Sequence, residues 1–296
     1  MRSRIYFILT AIIYLISNNA AYSQTPITFE QTERIKVAGI KSDTSIYNLS
    51  AYEKDVSRVF LDGLGRPVQS VVSKGSPTQK DIIQPIDYDS QGRQNRSYLP
   101  YAGNDGTGVY RPNALSTEQP AFYSNGTADK IADDNKPYAE QLFENSPLQR
   151  VLSAGSVGNG FQPLAGDHYA TINYRTSVAA DGTIPVWLPG GTKSGVYAAG
   201  SLNVTQATDA ENHTTLIFTD NVGRTLLKRQ VVSATENNDT YYVYNEAGLI
   251  SHILPPKAVN LLAANNSYTL STAIISKLIF TYTYDDKGRL TEKTIP

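Results

Sequence analysis

The sequence predicts an all-β protein of antiparallel hairpins, and three observations carry that expectation. A turn phrase of the form Tyr-Asp-x-x-Gly-Arg, or a near copy of it, recurs five times, at residues 61–66, 88–93, 219–224, 244–249 and 284–289. Each copy follows a β-branched or aromatic run, and four of the five lead into a second one. Over the last hundred residues or so, turn signals return about every 8–12 residues, the spacing of a β-meander.

The turn phrase has a local physical basis. Asp or Asn at the first corner with Gly three residues later is the chemistry of a type I turn. The carboxylate or amide bonds the turn backbone, and Gly accepts the positive φ that returns the chain. The structural positions are Asp62, Gly65 and Arg66, then Tyr88, Asp89, Gly92 and Arg93, then Asp220, Gly223 and Arg224. The fourth copy offers Tyr244, Asn245 and Gly248 with Leu249 in place of Arg, and the fifth Tyr284, Asp285, Gly288 and Arg289.

Along the chain, Arg2 and Arg4 precede an apolar run from Ile5 to Ile16 and a small-residue stretch ending Ala21-Tyr22-Ser23. That order is a secretory signal peptide, with cleavage expected after Ser23. The apolar core is shorter than the ~20 residues that span a bilayer, so no membrane span is expected after cleavage. Residues 24–55 form a polar lead-in with one or two strands. Residues 56–296 are the repeat domain, with an irregular insert at 94–200 and a β-meander at 201–296.

Within the insert, Ala114 to Asp134 is the best helical candidate, broken by Pro120 and Gly126. His168 to Val178 alternates, turns at Ala180-Asp181-Gly182 and returns through Ile184 to Leu188. The meander strands are Leu202–Thr208, Thr214–Thr219, Thr225–Ser233, Thr240–Tyr244 and Leu249–Leu254. A turn at Glu236-Asn237-Asn238-Asp239 joins the third and fourth of them. A short helical stretch is expected at Val259–Ala264, then a last hairpin from Ile279 to Ile295. The final strand leaves an unpaired sheet edge.

Composition excludes some functions. Lys and Arg number 26 against 27 Asp and Glu, so the chain is no nucleic-acid sponge. There is no Cys, hence no disulfide framework and no thiolate metal site. His168, His213 and His252 fit no ligand spacing. Asp133-Asp134-Asn135 with Glu140 invites a calcium reading, but Pro137 and Tyr138 stand where the loop needs a ligand and a glycine. No metal and no cofactor are expected.

The catalytic motifs also fail. Ala154-Gly155-Ser156-Val157-Gly158 approaches a nucleophile elbow, yet Asn159-Gly160-Phe161-Gln162-Pro163 cannot promptly start the helix that the elbow needs. Gly190-Gly191-Thr192-Lys193-Ser194 lacks the glycine and the helix of a phosphate loop. No catalytic residue is expected. Tyrosine is abundant, at 20 residues, and Tyr242, Tyr244, Tyr282 and Tyr284 are expected on one strand face. They read first as a cross-strand aromatic ladder and second as a sugar-stacking platform.

At these residues the chain resembles the YD-repeat (Rhs-type) proteins, and more closely the domain of unknown function that heads exported members. The resemblance is carried by Leu61–Gln69, Pro85–Arg93, Tyr98-Leu99-Pro100-Tyr101, Tyr138-Ala139-Glu140, Phe143-Glu144, Ser146-Pro147-Leu148, Val196–Gly200, Tyr241–Pro256 and Tyr284–Arg289. It implies hairpins wound into a long curved sheet that, in full-length members, closes as a shell around a C-terminal cargo, often a toxin. It supplies no catalytic residues here. The expected function is therefore an exported, non-enzymatic segment that forms or caps such a shell, with further YD repeats as partners. The alternative is a cell-surface module that binds a glycan or a protein partner through its tyrosine rows.

Overall fold

The computed structural model describes residues 28–40, 46–124, 126 and 132–296. The expected signal peptide, and residues 127–131 of the helical candidate, lie outside the described residues. The fold is all-β: antiparallel sheets with a few short helices. Contacts divide the chain into two compact units, Met1–Tyr138 and Ala139–Pro296.

The first unit holds strands β1 (Thr28–Ile35), β2 (Lys54–Leu61), β3 (Pro67–Ser73), β4 (Ile82–Pro85), β5 (Arg96–Tyr98) and β6 (Tyr101–Ala102). Its five-stranded sheet runs β1-β2-β3-β4-β6. Strand β1, inside the expected lead-in, pairs with β2 over its whole length, from Thr28 opposite Leu61 to Ile35 opposite Lys54. The core gathers Phe60, Val71, Ile83, Tyr101 and Ala114.

Helix α1 (Gln119–Phe122) borders this core and begins with Pro at its second position, where a missing N–H costs nothing. Asp81 is fully buried and accepts the N–H groups of Lys74 at 3.0 Å and Gly108 at 2.7 Å. A buried carboxylate needs such partners to stay in a fold.

The second unit holds β7 (Tyr138–Phe143), β8 (Val151–Gly155), β9 (Tyr169–Thr176), β10 (Pro185–Trp187), β11 (Lys193–Val196), β12 (Asn203–Thr208), β13 (Thr214–Thr219), β14 (Thr225–Val231), β15 (Asn237–Tyr244), β16 (Ile250–Leu254), β17 (Phe280–Tyr284) and β18 (Leu290–Thr294). Its sheet runs β7-β8-β9-β12-β13-β14-β15-β16-β17-β18, with β10 and β11 forming a separate ribbon. One row of side chains crosses five strands: Val204 opposite Phe218, Phe218 opposite Leu227, Leu227 opposite Tyr241, and Tyr241 opposite Leu254. All five are buried, so this face is the core. Ala258 and Leu262 of helix α2 (Pro256–Ala264) join the same cluster, with Ile275 of helix α3 (Ala273–Ser276). Helix α2 starts at Pro256, earlier than the apolar stretch alone suggests, because proline's fixed φ suits a first helical position.

Two local expectations are corrected. The return strand through Ile184 does not pair with β9, whose two edges are taken by β8 and β12. Asp181 bonds both Arg175 (2.6 and 2.7 Å) and the Val178 N–H (2.8 Å), and β10 pairs with β11 instead. The turn placed at Glu236–Asp239 lies earlier, closed by the Val232 and Ser233 N–H groups on the Glu236 carbonyl. Asn237 to Asp239 are already strand, because buried Arg229 draws the Asp239 carboxylate across the β14–β15 pair at 2.7 and 2.8 Å.

Candidate functional site: a repeated turn and its tyrosine clasp

Each of the five phrases closes its turn in the same way; four of them join paired strands, and the second lies between β4 and β5, which do not pair. The Asp or Asn donates its N–H to the carbonyl four residues on, and the glycine N–H returns to the Asp or Asn carbonyl. Gly65, Gly92, Gly223, Gly248 and Gly288 hold φ between 75° and 85°. This is a type I turn followed by a left-handed residue, the G1-bulge hairpin. The register shifts beside four of these turns, between Phe60 and Leu61, Phe218 and Thr219, Val243 and Tyr244, and Thr283 and Tyr284.

The carboxylate does more than close the turn. In the first copy Asp62 Oδ1 accepts the N–H groups of Leu64 and Arg66, both at 2.9 Å, while Oδ2 takes the Arg66 guanidinium. Asp89 does the same with Gln91 and Arg93, Asp220 with Val222 and Arg224, and Asp285 with Lys287 and Arg289. The N–H groups of Arg66, Arg93 and Arg289, aided by their guanidinium groups, hold Asp62, Asp89 and Asp285 below the usual carboxylate range. For Asp220 burial is the largest influence and opposes ionisation, but the Arg224 N–H, the Arg224 guanidinium and the Val222 N–H together outweigh it. In the fourth copy Asn245 Oδ1 accepts the Leu249 N–H at 2.9 Å, and the ion pair is gone.

In the three phrases that have one, the tyrosine before the turn reaches back to an earlier turn. Tyr88 Oη donates to the Pro67 carbonyl at 2.8 Å, Tyr244 Oη to Thr225 at 2.7 Å, and Tyr284 Oη to Ile250 at 2.9 Å. In every case the acceptor is the residue just after the Arg, or Leu249, of an earlier turn. The arginine completes the contact. Arg66 lies over the Tyr88 ring at 4.2 Å and Arg224 over the Tyr244 ring at 5.1 Å. A Cβ on Gly92 would sit 3.1 Å from Arg66, and one on Gly288 3.5 Å from Leu249. Turn, arginine and tyrosine thus form a clasp from one hairpin to the next.

The same turn occurs where no phrase marks it. Ser76 closes on Lys80 with its Oγ accepting the Lys80 N–H at 2.9 Å, and Gln79 holds φ 60° in the glycine position. Asp209 closes on His213, with Asn212 at φ 65°. A longer variant joins Glu144 to Arg150, whose guanidinium lies over Tyr174 at 4.3 Å; that arginine holds Glu144 down to about 2. The readable signal was an oxygen-bearing side chain four residues before the closing position, with or without glycine.

The remaining candidates lie apart from this ladder. Ser156 sits in a loop after β8, with Gln162 bonded to its carbonyl at 2.9 Å and no helix of nucleophile-elbow type following. Asp133 accepts the Gly126 N–H and Asp134 the Lys136 N–H. Among the described residues no three acidic or histidine side chains converge as a metal site. His252 is half-buried and burial lowers its pKa. Of the four tyrosines expected on one face, Tyr244 and Tyr284 spend their hydroxyls on the clasp, and Lys293 lies over the Tyr282 ring at 5.6 Å.

The class these features define is an all-β protein of clasped hairpins. A domain of unknown function, DUF6443, matches residues 32–176. Among solved structures, the TcdB2-TccC3-TEV crystal structure is similar over 97% of this chain and 13% of that one, with TM-score 0.51 and 14% identity. The TcdB2-TccC3-Cdc42 crystal structure is similar over 81% of this chain and 10% of that one, with TM-score 0.49 and 14% identity. The chain therefore spans only about a tenth of the length of these structures, and the likeness to the first of them, at 14% identity, is one of fold. No curated protein matches the chain.

Proposed function

We propose that this chain is an exported, non-enzymatic wall segment of a YD-repeat (Rhs-type) protein, extended hairpin by hairpin through the tyrosine clasp. The observation that carries the reading is the clasp itself, which bonds one turn to an earlier one three times over. Strand β18 is exposed along its whole length and ends the strand order. The Arg289 side chain is 72% exposed, against 37% for Arg66 and 42% for Arg224, which lie over tyrosines. By the rule of the three closed clasps, an added hairpin would place its tyrosine ring under Arg289 and its hydroxyl on the Leu290 carbonyl.

The DUF6443 match and the fold shared with TcdB2-TccC3 support an Rhs-like relationship. Enclosure of a cargo rests on the resemblance of the YD phrases, and export on the charge and hydropathy order of the first 23 residues. No described helix is long and apolar enough to cross a membrane. The test joins two further Tyr-Asp hairpins after Pro296 and follows hydrogen exchange. Protection should appear in the added strands and in β18, and Arg289→Ala should reduce it. Added hairpins that stay unprotected overturn the reading.

A further inference from the structure

Beside the clasp of Arg224 and Tyr244, further aromatic side chains collect in the second unit. A cleft of about 210 Å³ has among its lining residues Trp187 of β10, Tyr197, Tyr242 of β15, Asn245 and Glu246 of the fourth turn, and the clasp pair Arg224 and Tyr244. Its size is below the roughly 300–1,000 Å³ of sites for drug-sized ligands, so it suits a single ring.

Several polar atoms around these rings are unused by the fold. Trp187 Nε1 is cut off from solvent and has no acceptor among the described residues. Asn245 commits its Oδ1 to the Leu249 N–H and leaves its amide N–H groups without an acceptor among the described residues. The Tyr197 and Tyr242 hydroxyls and the Glu246 carboxylate likewise have no hydrogen-bond partner among the described residues.

Flat aromatic walls ask for an apolar ring face, and mixed donors with a carboxylate acceptor ask for several hydroxyls. A pyranose offers both. A proline-rich segment would suit the walls but offers mainly carbonyl acceptors, leaving Glu246 unmatched. We infer that this cleft binds one pyranose unit of a glycan. The inference goes beyond the wall reading, because it concerns a cleft beside the β10–β11 ribbon and not the β18 edge.

Trp187 is the only tryptophan in the chain, so its emission reports on its own surroundings, and the variants at Glu246 and Tyr242 separate this cleft from the cavity that Trp187 lines with Lys193 and Asn260. The full chain is titrated with N-acetylglucosamine, galactose and maltotriose, and separately with decaproline. At least one sugar should shift the emission saturably. Glu246→Gln, an exposed turn position that leaves the fold intact, should weaken that binding about tenfold, the scale of one charge-assisted hydrogen bond. Tyr242→Ala should weaken it further while the unfolding transition stays cooperative. Silence with every sugar, a response to decaproline alone, or a sugar response unchanged in both variants overturns the inference. None of these outcomes touches the wall reading, which is judged by hydrogen exchange at β18.

Discussion

A single side chain, a carboxylate in four corners and the Asn245 amide in the other, organises each corner, and the glycine three residues later supplies only backbone freedom. Gly288 has φ 75° and an added Cβ would meet nothing closer than Leu249 at 3.5 Å. Its substitution is therefore a matter of backbone conformation. Gly288→Val should destabilise the last hairpin by more than the roughly 1–2 kcal/mol of a left-handed L-residue, because a branched Cβ worsens the strain. Gly288→Asn should cost much less, since Asn212 holds the equivalent position with φ 65°. Thermal unfolding of the two variants checks this, and equal midpoints would reject the turn assignment.

The carboxylates also predict the acid response. Asp62, Asp89 and Asp285 have folded pKa values below their unfolded ones, and Glu144 is held to about 2. Depressed values mean a contribution fully present above the unfolded pKa of about 4, and lost as pH falls through the folded values. The melting temperature should stay level from neutral pH to about 5 and fall steadily below about 4. A melting temperature that rises on acidification would contradict the ladder of carboxylates.

At the scale of elements, the clasp explains why tyrosine accompanies the turn at all. The turn closes by itself without tyrosine, as the first and third phrases show. Tyrosine is needed where a hairpin must bond the previous one. Tyr244→Phe keeps the ring under Arg224 but leaves the Thr225 carbonyl without its 2.7 Å donor. The expected cost is about 0.5–1.5 kcal/mol in denaturant unfolding. Tyr52→Phe, at a position 78% exposed, should be silent. Equal effects at the two sites would remove the clasp.

The corners and most meander strands were legible because their chemistry is local. An Asp–Gly–Arg turn is settled within about five residues, and Thr214–Thr219 alternates as a half-buried strand must. Strand β15 was misread at its start because Asn237–Asp239 resembles a turn by composition, while Arg229, ten residues before Asp239, pulls it into the sheet. The turn at Ser76 was missed, and the turn at Asp209–Asn212, legible as a turn, did not show itself a relative of the phrase, because Gln79 and Asn212 stand where glycine was sought.

For the whole molecule, the export argument makes its own prediction. The secreted protein should begin at Gln24, and N-terminal sequencing that finds Met1 would remove it. By itself, the sequence determined the all-β class, the order of corners and strands, and which residues turn the chain, because these follow from side chains reaching backbone a few residues away. Only the tertiary structure decided that β9 lies between β8 and β12, that the β10–β11 ribbon stands apart, and that each tyrosine bonds a carbonyl about twenty to thirty-five residues earlier. Those choices depend on which edges are already paired and which polar groups are left to satisfy, and neither is settled until distant segments meet.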